Sequence, residues 1–182
     1  MIQTRRSFVG TLGFLALAAA SGISFVTGCS TATIAAALIS SFGQVLKLLQ
    51  SAGVLTNNQL IEAANAALSA FSAAYDAYEA DKNAGTLAAL GAAAQAALSA
   101  VQTFLNETNF GGVIAQTAAA LLEIILSTLM SFLPSPAPAS FKLKGAHESA
   151  TSVHPVKRTR TQFVKAWNSA CKQYNVQQAE IK

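Results

Sequence analysis

The sequence predicts an all-α protein: an antiparallel up-and-down four-helix bundle, then a Pro-rich linker and a short basic C-terminal helix. Three observations carry that reading. Four consecutive stretches between residues 33 and 133 repeat apolar residues at intervals of three and four, which stacks them on one helical face. Glycine and asparagine punctuate the gaps between these stretches. All four prolines of the 182-residue chain lie at or beyond Pro134, so no proline interrupts a helix before that point.

The first helix is expected over 33–52. It carries Ile34, Leu38, Phe42, Val45, Leu46 and Leu49 along one side and Ser40, Gln44 and Lys47 on another. Gly53 suits its stop, because glycine enters the left-handed conformation without a Cβ clash. Thr56 and Gln59 have the spacing of a capping box, opening a second helix over 57–82 with the seam Ile61, Ala64, Leu68, Phe71, Tyr75 and Tyr78. Asn83-Ala84-Gly85 ends it. Thr86 is expected to cap a third helix, 86–107, whose seam is Leu87, Leu90, Ala94, Ala97, Val101 and Phe104. Its many alanines allow a neighbouring helix to come close.

Asn109-Phe110-Gly111-Gly112 forms the next turn. The fourth helix, 113–133, is apolar nearly all round, with Glu123 as its only charge and Gln116, Glu123, Ser127 and Ser131 in a narrow polar line. It has the length to cross a bilayer, and it also fits the buried central helix of a bundle. Three preceding helices with matching apolar faces favour the buried placement. Short connections make sequential helices antiparallel neighbours.

Pro134-Ser135-Pro136-Ala137-Pro138 stops that helix and begins an extended, mobile linker, 134–155. The basic cluster Val156-Lys157-Arg158-Thr159-Arg160 follows. Beyond it, Phe163, Trp167, Ala170 or Cys171, and Tyr174 would share one stripe of a short amphipathic helix within the last segment, 156–182.

Charge is unevenly distributed along the chain, whose formal total is +4. From Cys29 to Leu133 there are two lysines and six carboxylates; from Pro134 to Lys182 there are eight basic residues and two acidic ones. The bundle and the tail therefore suit different partners, or each other. Asp76, Glu79 and Asp81, beside Tyr75 and Tyr78, are one acidic group that the tail could meet.

The N-terminus explains where such a protein would work. Thr4-Arg5-Arg6-Ser7-Phe8-Val9 resembles the twin-arginine export motif, and Val26-Thr27-Gly28-Cys29 resembles a bacterial lipobox. The apolar stretch between them is too short and too rich in glycine and alanine for a stable span. The resemblance implies that residues 1–28 are a cleaved signal, with Arg5 and Arg6 as export determinants. It also implies that Cys29 is acylated as the first mature residue, leaving 29–133 as the helical bundle. Several acyl chains on one residue hold a protein at a membrane far better than one. Ser30 in place of aspartate points to the outer membrane, with the body facing the periplasm of a bacterium.

With Cys29 acylated, Cys171 stands alone of the two cysteines, so no intrachain disulfide framework is expected, and a buried thiol is the natural reading. Catalytic patterns are not apparent. The chain has no Gly-x-Ser-x-Gly elbow, phosphate-binding glycine loop or Cys-x-x-Cys pair. Glu62 and Glu123 could face each other in a bundle, but carboxylate-bridged metal sites add Glu-x-x-His pairs. Both histidines, His147 and His154, fall in the tail.

These features predict a lipid-anchored cell-envelope protein with a non-enzymatic structural or interaction role and no cofactor. Its partners would be the membrane, through Cys29, and an anionic envelope component or protein. Nucleic acid suits the charge but not the export route. Lys157, Arg158, Arg160, Phe163 and Trp167 are the expected contact residues, with packing of the same stripe on the bundle as the competing role. A membrane-inserted, oligomerising or pore-like protein built on 113–133 is the alternative, with Gln116 and Glu123 lining a helix contact.

Overall fold

A computed structural model describes residues 33–54, 56–108, 112–135, 139–142 and 150–181. The export motif, the lipobox and Cys29 lie outside these residues. Helix dominates what is described. The order is α1 (Ile34–Ser51), α2 (Asn58–Ala80), α3 (Ala84–Glu107), α4 (Gly112–Met130), β1 (Ala139–Lys142), β2 (Ala150–Val153) and α5 (Arg160–Gln173). One 3-10 turn, Gln177–Ala179, follows.

Each helix boundary has a local chemical cause. Thr33 caps α1, its hydroxyl accepting from the Ala36 N–H at 3.2 Å. The helix ends where Gly53 takes φ +70°, which lets the Gly53 and Val54 N–H groups close on the Gln50 and Leu49 carbonyls. Asn57, not the expected Thr56, caps α2, its side chain accepting from the Gln59 N–H at 2.9 Å. Helix α3 begins two residues before the expected start. Asn83 is its cap, and Thr86 sits at the third helical position, returning a hydrogen bond to the Asn83 N–H at 3.2 Å. Thr86 is thus the reciprocal member of a capping box rather than the cap. Helix α4 stops at Met130, three residues short of expectation. Ser131, Phe132 and Leu133 instead bond to carbonyls three residues back and tighten into turns.

Helix α1 packs on α2 and α4, and α3 packs on the same two helices, so the four form a closed cycle of contacts. Their shared core contains Leu38, Phe42, Val45 and Leu49 of α1 with Ala64, Leu68 and Phe71 of α2. Leu90, Ala94, Ala97, Val101 and Phe104 of α3 join them. Phe42 meets Phe104 edge-on, with ring centroids 5.2 Å apart. Helix α4 supplies Leu121, Leu122, Ile125, Leu126, Leu129 and Met130, all without accessible surface. Burying each such side chain stabilises by about 1.5–3 kcal/mol.

By length and composition, α1 and α3 are apolar enough to cross a membrane, and α4, 19 residues long with Glu123 as its only charge, is no less apolar in sequence. In α4 the expected polar line is split. Glu123 is exposed, Ser127 is buried and Ser131 is half-buried, while the side chain of Gln116 lies outside those described. Glu62 and Glu123 are both exposed and do not form an interior carboxylate pair.

The C-terminal half differs most from expectation. The segment read as an extended linker contains an antiparallel pair, β1 with β2, in the register Ala139↔Val153 through Lys142↔Ala150. Strand β1 packs against α3 and β2 against α4, and Val153 is buried in the common core. Helix α5 lies on α1 and α4. Its Phe163, Trp167 and Cys171 have no accessible surface.

A basic-rimmed cleft as the candidate functional site

The basic segment before α5 is held on the body by hydrogen bonds to the end of α4. The hydroxyls of Ser127 and Thr128 donate to the Ile124 carbonyl at 3.1 and 2.7 Å. Their remaining lone pairs accept from one Arg158 nitrogen at 2.7 and 3.1 Å. The Val156 N–H adds a bond of 2.8 Å to the Ser127 carbonyl. A cation beside the last turn of a helix also meets the negative end of its dipole. Burial holds the Arg158 guanidinium below its ordinary range, and the charge of Glu123 partly offsets this.

Helix α5 is equally well anchored. Thr159 and Gln162 form its capping box. Asn175, at φ +55°, ends it by turning the Asn175 and Val176 N–H groups onto the Lys172 and Cys171 carbonyls. The returning chain is fastened by the Trp167 indole, which donates to the Ala179 carbonyl at 2.7 Å. Asn168 and Ile181 exchange two bonds of 2.9 Å. Phe163 stacks on Trp167 with centroids 6.1 Å apart.

These contacts sort the five expected surface residues. Lys157 is exposed, Arg158 and Arg160 are half-buried, and Phe163 and Trp167 are wholly buried. The two aromatics are corrected to packing residues, because a side chain without accessible surface cannot touch an external partner in the folded state. Hydrophobic burial of a complete α5 stripe outweighs any gain from leaving it on the surface.

The three basic residues Lys157, Arg158 and Arg160 border a cleft of about 1360 Å³ at the end of the molecule where α1 begins. Thr33 and Ile34 of α1 line it, as do Tyr75, Tyr78, Glu79 and Lys82 from the end of α2. Leu87, Leu90 and Gly91 of α3 and Phe132 after α4 complete most of the wall. The chain after α4 passes close to Gly91, where a Cβ would stand 3.3 Å from the Pro134 ring, a tight contact. Phe132 sits edge-on to both Phe71 and Tyr75, at 5.3 and 5.8 Å. Burial, with the Glu79 carboxylate next in weight, raises the Tyr75 phenol above its ordinary value. Glu79 pairs with Lys82 at 3.2 Å. Leu87, expected on the inner seam of α3, is 52% exposed.

The basic segment and the tyrosine-bearing end of α2 therefore share one cleft, but of Asp76, Glu79 and Asp81 only Glu79 lines it, and it pairs with Lys82 of its own helix end. Leu87, Gly91 and Phe132 carried no functional signal in the sequence; their spacing indicated packing only. The arrangement can bind an amphiphile: cations and phenols at the rim, apolar side chains below. Among the described residues no three His, Cys, Asp or Glu side chains gather as metal ligands. Comparison with known proteins finds no matching family profile, no matching curated protein and no matching solved structure.

Proposed function

We propose that this chain is a bacterial lipoprotein of the cell envelope. Exported by the twin-arginine route and acylated on Cys29, it has a non-enzymatic interaction role. We read α1–α4 as the up-and-down four-helix bundle the sequence predicts, supported by their closed cycle of contacts. The observation that carries the functional reading is the distance between lipid site and cleft. Thr33, on the cleft wall, is four residues from Cys29, a reach of at most about 14 Å. Acyl chains on Cys29 would hold the basic rim close to the membrane surface. Lys157, with Arg160 beside it, is then placed to meet an anionic envelope component. The outer membrane, with the body in the periplasm, is the expected site.

Mass spectrometry of the N-terminal peptide from cells expressing the full chain tests this directly. The expected peptide begins at acylated Cys29; an unmodified Cys29, or a mature chain beginning elsewhere, would overturn the reading. Replacing both Arg5 and Arg6 by lysine should leave the unprocessed chain in the cytoplasm. The inserted alternative built on 113–133 draws less support, because the apolar side chains described in α4 are spent on the core.

A further inference from the structure

We propose that the cleft binds an anionic phospholipid of the membrane to which the chain is tethered. The phosphate would lie at Lys82 and Lys157, and an acyl chain would lie over Leu87 and Phe132. This deepens the tether reading and rests on it for orientation.

Three features select that occupant. Lys82 and Lys157 border the cleft beside one carboxylate, Glu79, which pairs with Lys82 at 3.2 Å and leaves the charge of Lys157 uncompensated there. Glu123 acts on Arg158, yet Lys157 stays exposed at the rim. Between these charges Leu87, Leu90 and Phe132 make an apolar part of the wall, and Leu87 leaves half its surface exposed. A free phosphate would use the cations and leave that apolar wall in water. A bilayer lipid uses both. The cleft opens at the end of the molecule where α1 begins, the described end nearest to Cys29 in sequence. Tyrosines such as Tyr75 and Tyr78 suit a membrane interface, where one end of the ring is apolar and the other wet.

The acylated full-length mature chain, purified and carrying an environment-sensitive fluorophore at Leu87→Cys in a Cys171→Ala background, tests this on vesicles. Vesicles of phosphatidylcholine alone are compared with vesicles containing phosphatidylglycerol. Sedimentation with both compositions and a blue shift only on the anionic vesicles is the expected result. Each basic residue near an anionic surface is worth about fivefold in binding. Lys82→Gln with Lys157→Gln should therefore move the midpoint of the shift to about 25-fold more anionic lipid, while sedimentation is unchanged.

No shift on anionic vesicles overturns the proposal, as does an equal shift on both compositions, which would mean that the protein's own acyl chain fills the cleft. A shift produced by inorganic phosphate alone also overturns it. Sedimentation with anionic vesicles only, still accompanied by the shift, removes the tether reading and leaves the lipid site standing. Sedimentation with neither, and no shift, removes both.

Discussion

The Trp167 indole donates to the Ala179 carbonyl at 2.7 Å, and that bond decides what a substitution there costs. Trp167→Phe keeps much of the ring contact with Phe163 but strands a buried carbonyl. The expected loss is about 1–3 kcal/mol, against about 3–5 kcal/mol for Trp167→Ala, which also opens a cavity. Urea unfolding followed by circular dichroism separates the two; an undiminished stability in Trp167→Phe would mean that the hydrogen bond contributes nothing. Cys171 gives a pH prediction. Burial, with the charge of Glu180 adding to it, pushes the thiol from its ordinary 9.0 up to about 11. The folded state thus prefers the neutral thiol. The resulting stability is fully present below pH 9 and is lost as pH rises through about 11. Tyr75 is also raised and loses stability in the alkaline range, so the readout is a difference. Cys171→Ala should flatten part of the fall in melting temperature above pH 9, and superimposable curves would sink the assignment.

Where a helix meets a loop, hydrogen bonds outweigh hydrophobic pattern in this protein. The Asn83–Thr86 box begins α3 three residues before its apolar seam starts at Leu87, and the Ser127, Thr128 and Arg158 cluster joins α5 to α4. Hydrogen bonds to a charged group contribute about 1.5–3 kcal/mol each, so Arg158→Ala should destabilise the chain by roughly that much. It should also speed hydrogen exchange at the Val156 N–H, whose bond to Ser127 belongs to the same junction. Arg158→Lys should restore only part of this, because a single ammonium does not reproduce the guanidinium's geometry. Unchanged exchange at Val156 in Arg158→Ala would show that the segment is held by packing alone.

The chain as a body is organised around two facts: the C-terminal helix is core, and the basic rim lies at the end where α1 begins. Removing residues 156–182 takes away Phe163, Trp167 and Cys171 and uncovers the faces of α1 and α4 beneath them. That deletion should abolish a cooperative thermal transition, so lost membrane association in such a variant would report unfolding rather than a missing contact surface. A truncated chain that still melts cooperatively would show that α1–α4 fold alone. Substitution at the exposed Lys157 is the informative change for surface binding, because no packing depends on its charge.

Much of this was legible in the chain because helical periodicity is a local property. The seams of α1 and α2, with the stop at Gly53, follow from residues three or four apart that must share a face. The proposed export and lipidation signals likewise rest on contiguous residues, Thr4 to Val9 and Val26 to Cys29. Other features depended on residues far apart in sequence. Lys157 and Tyr78 border one cleft only because the tertiary fold brings the end of α2 beside the segment that leads into α5. Leu87 lies half-exposed at that cleft, whereas Leu90, Ala94 and Ala97 of the same seam are buried in the core. The stripe Phe163, Trp167 and Cys171 was plain in the sequence, but amphipathicity says only that a helix has an apolar face, not what covers it. The tertiary structure decided that point: α1 and α4 offered apolar surface next to the hydroxyls that hold Arg158, and burial there was worth more than exposure to solvent.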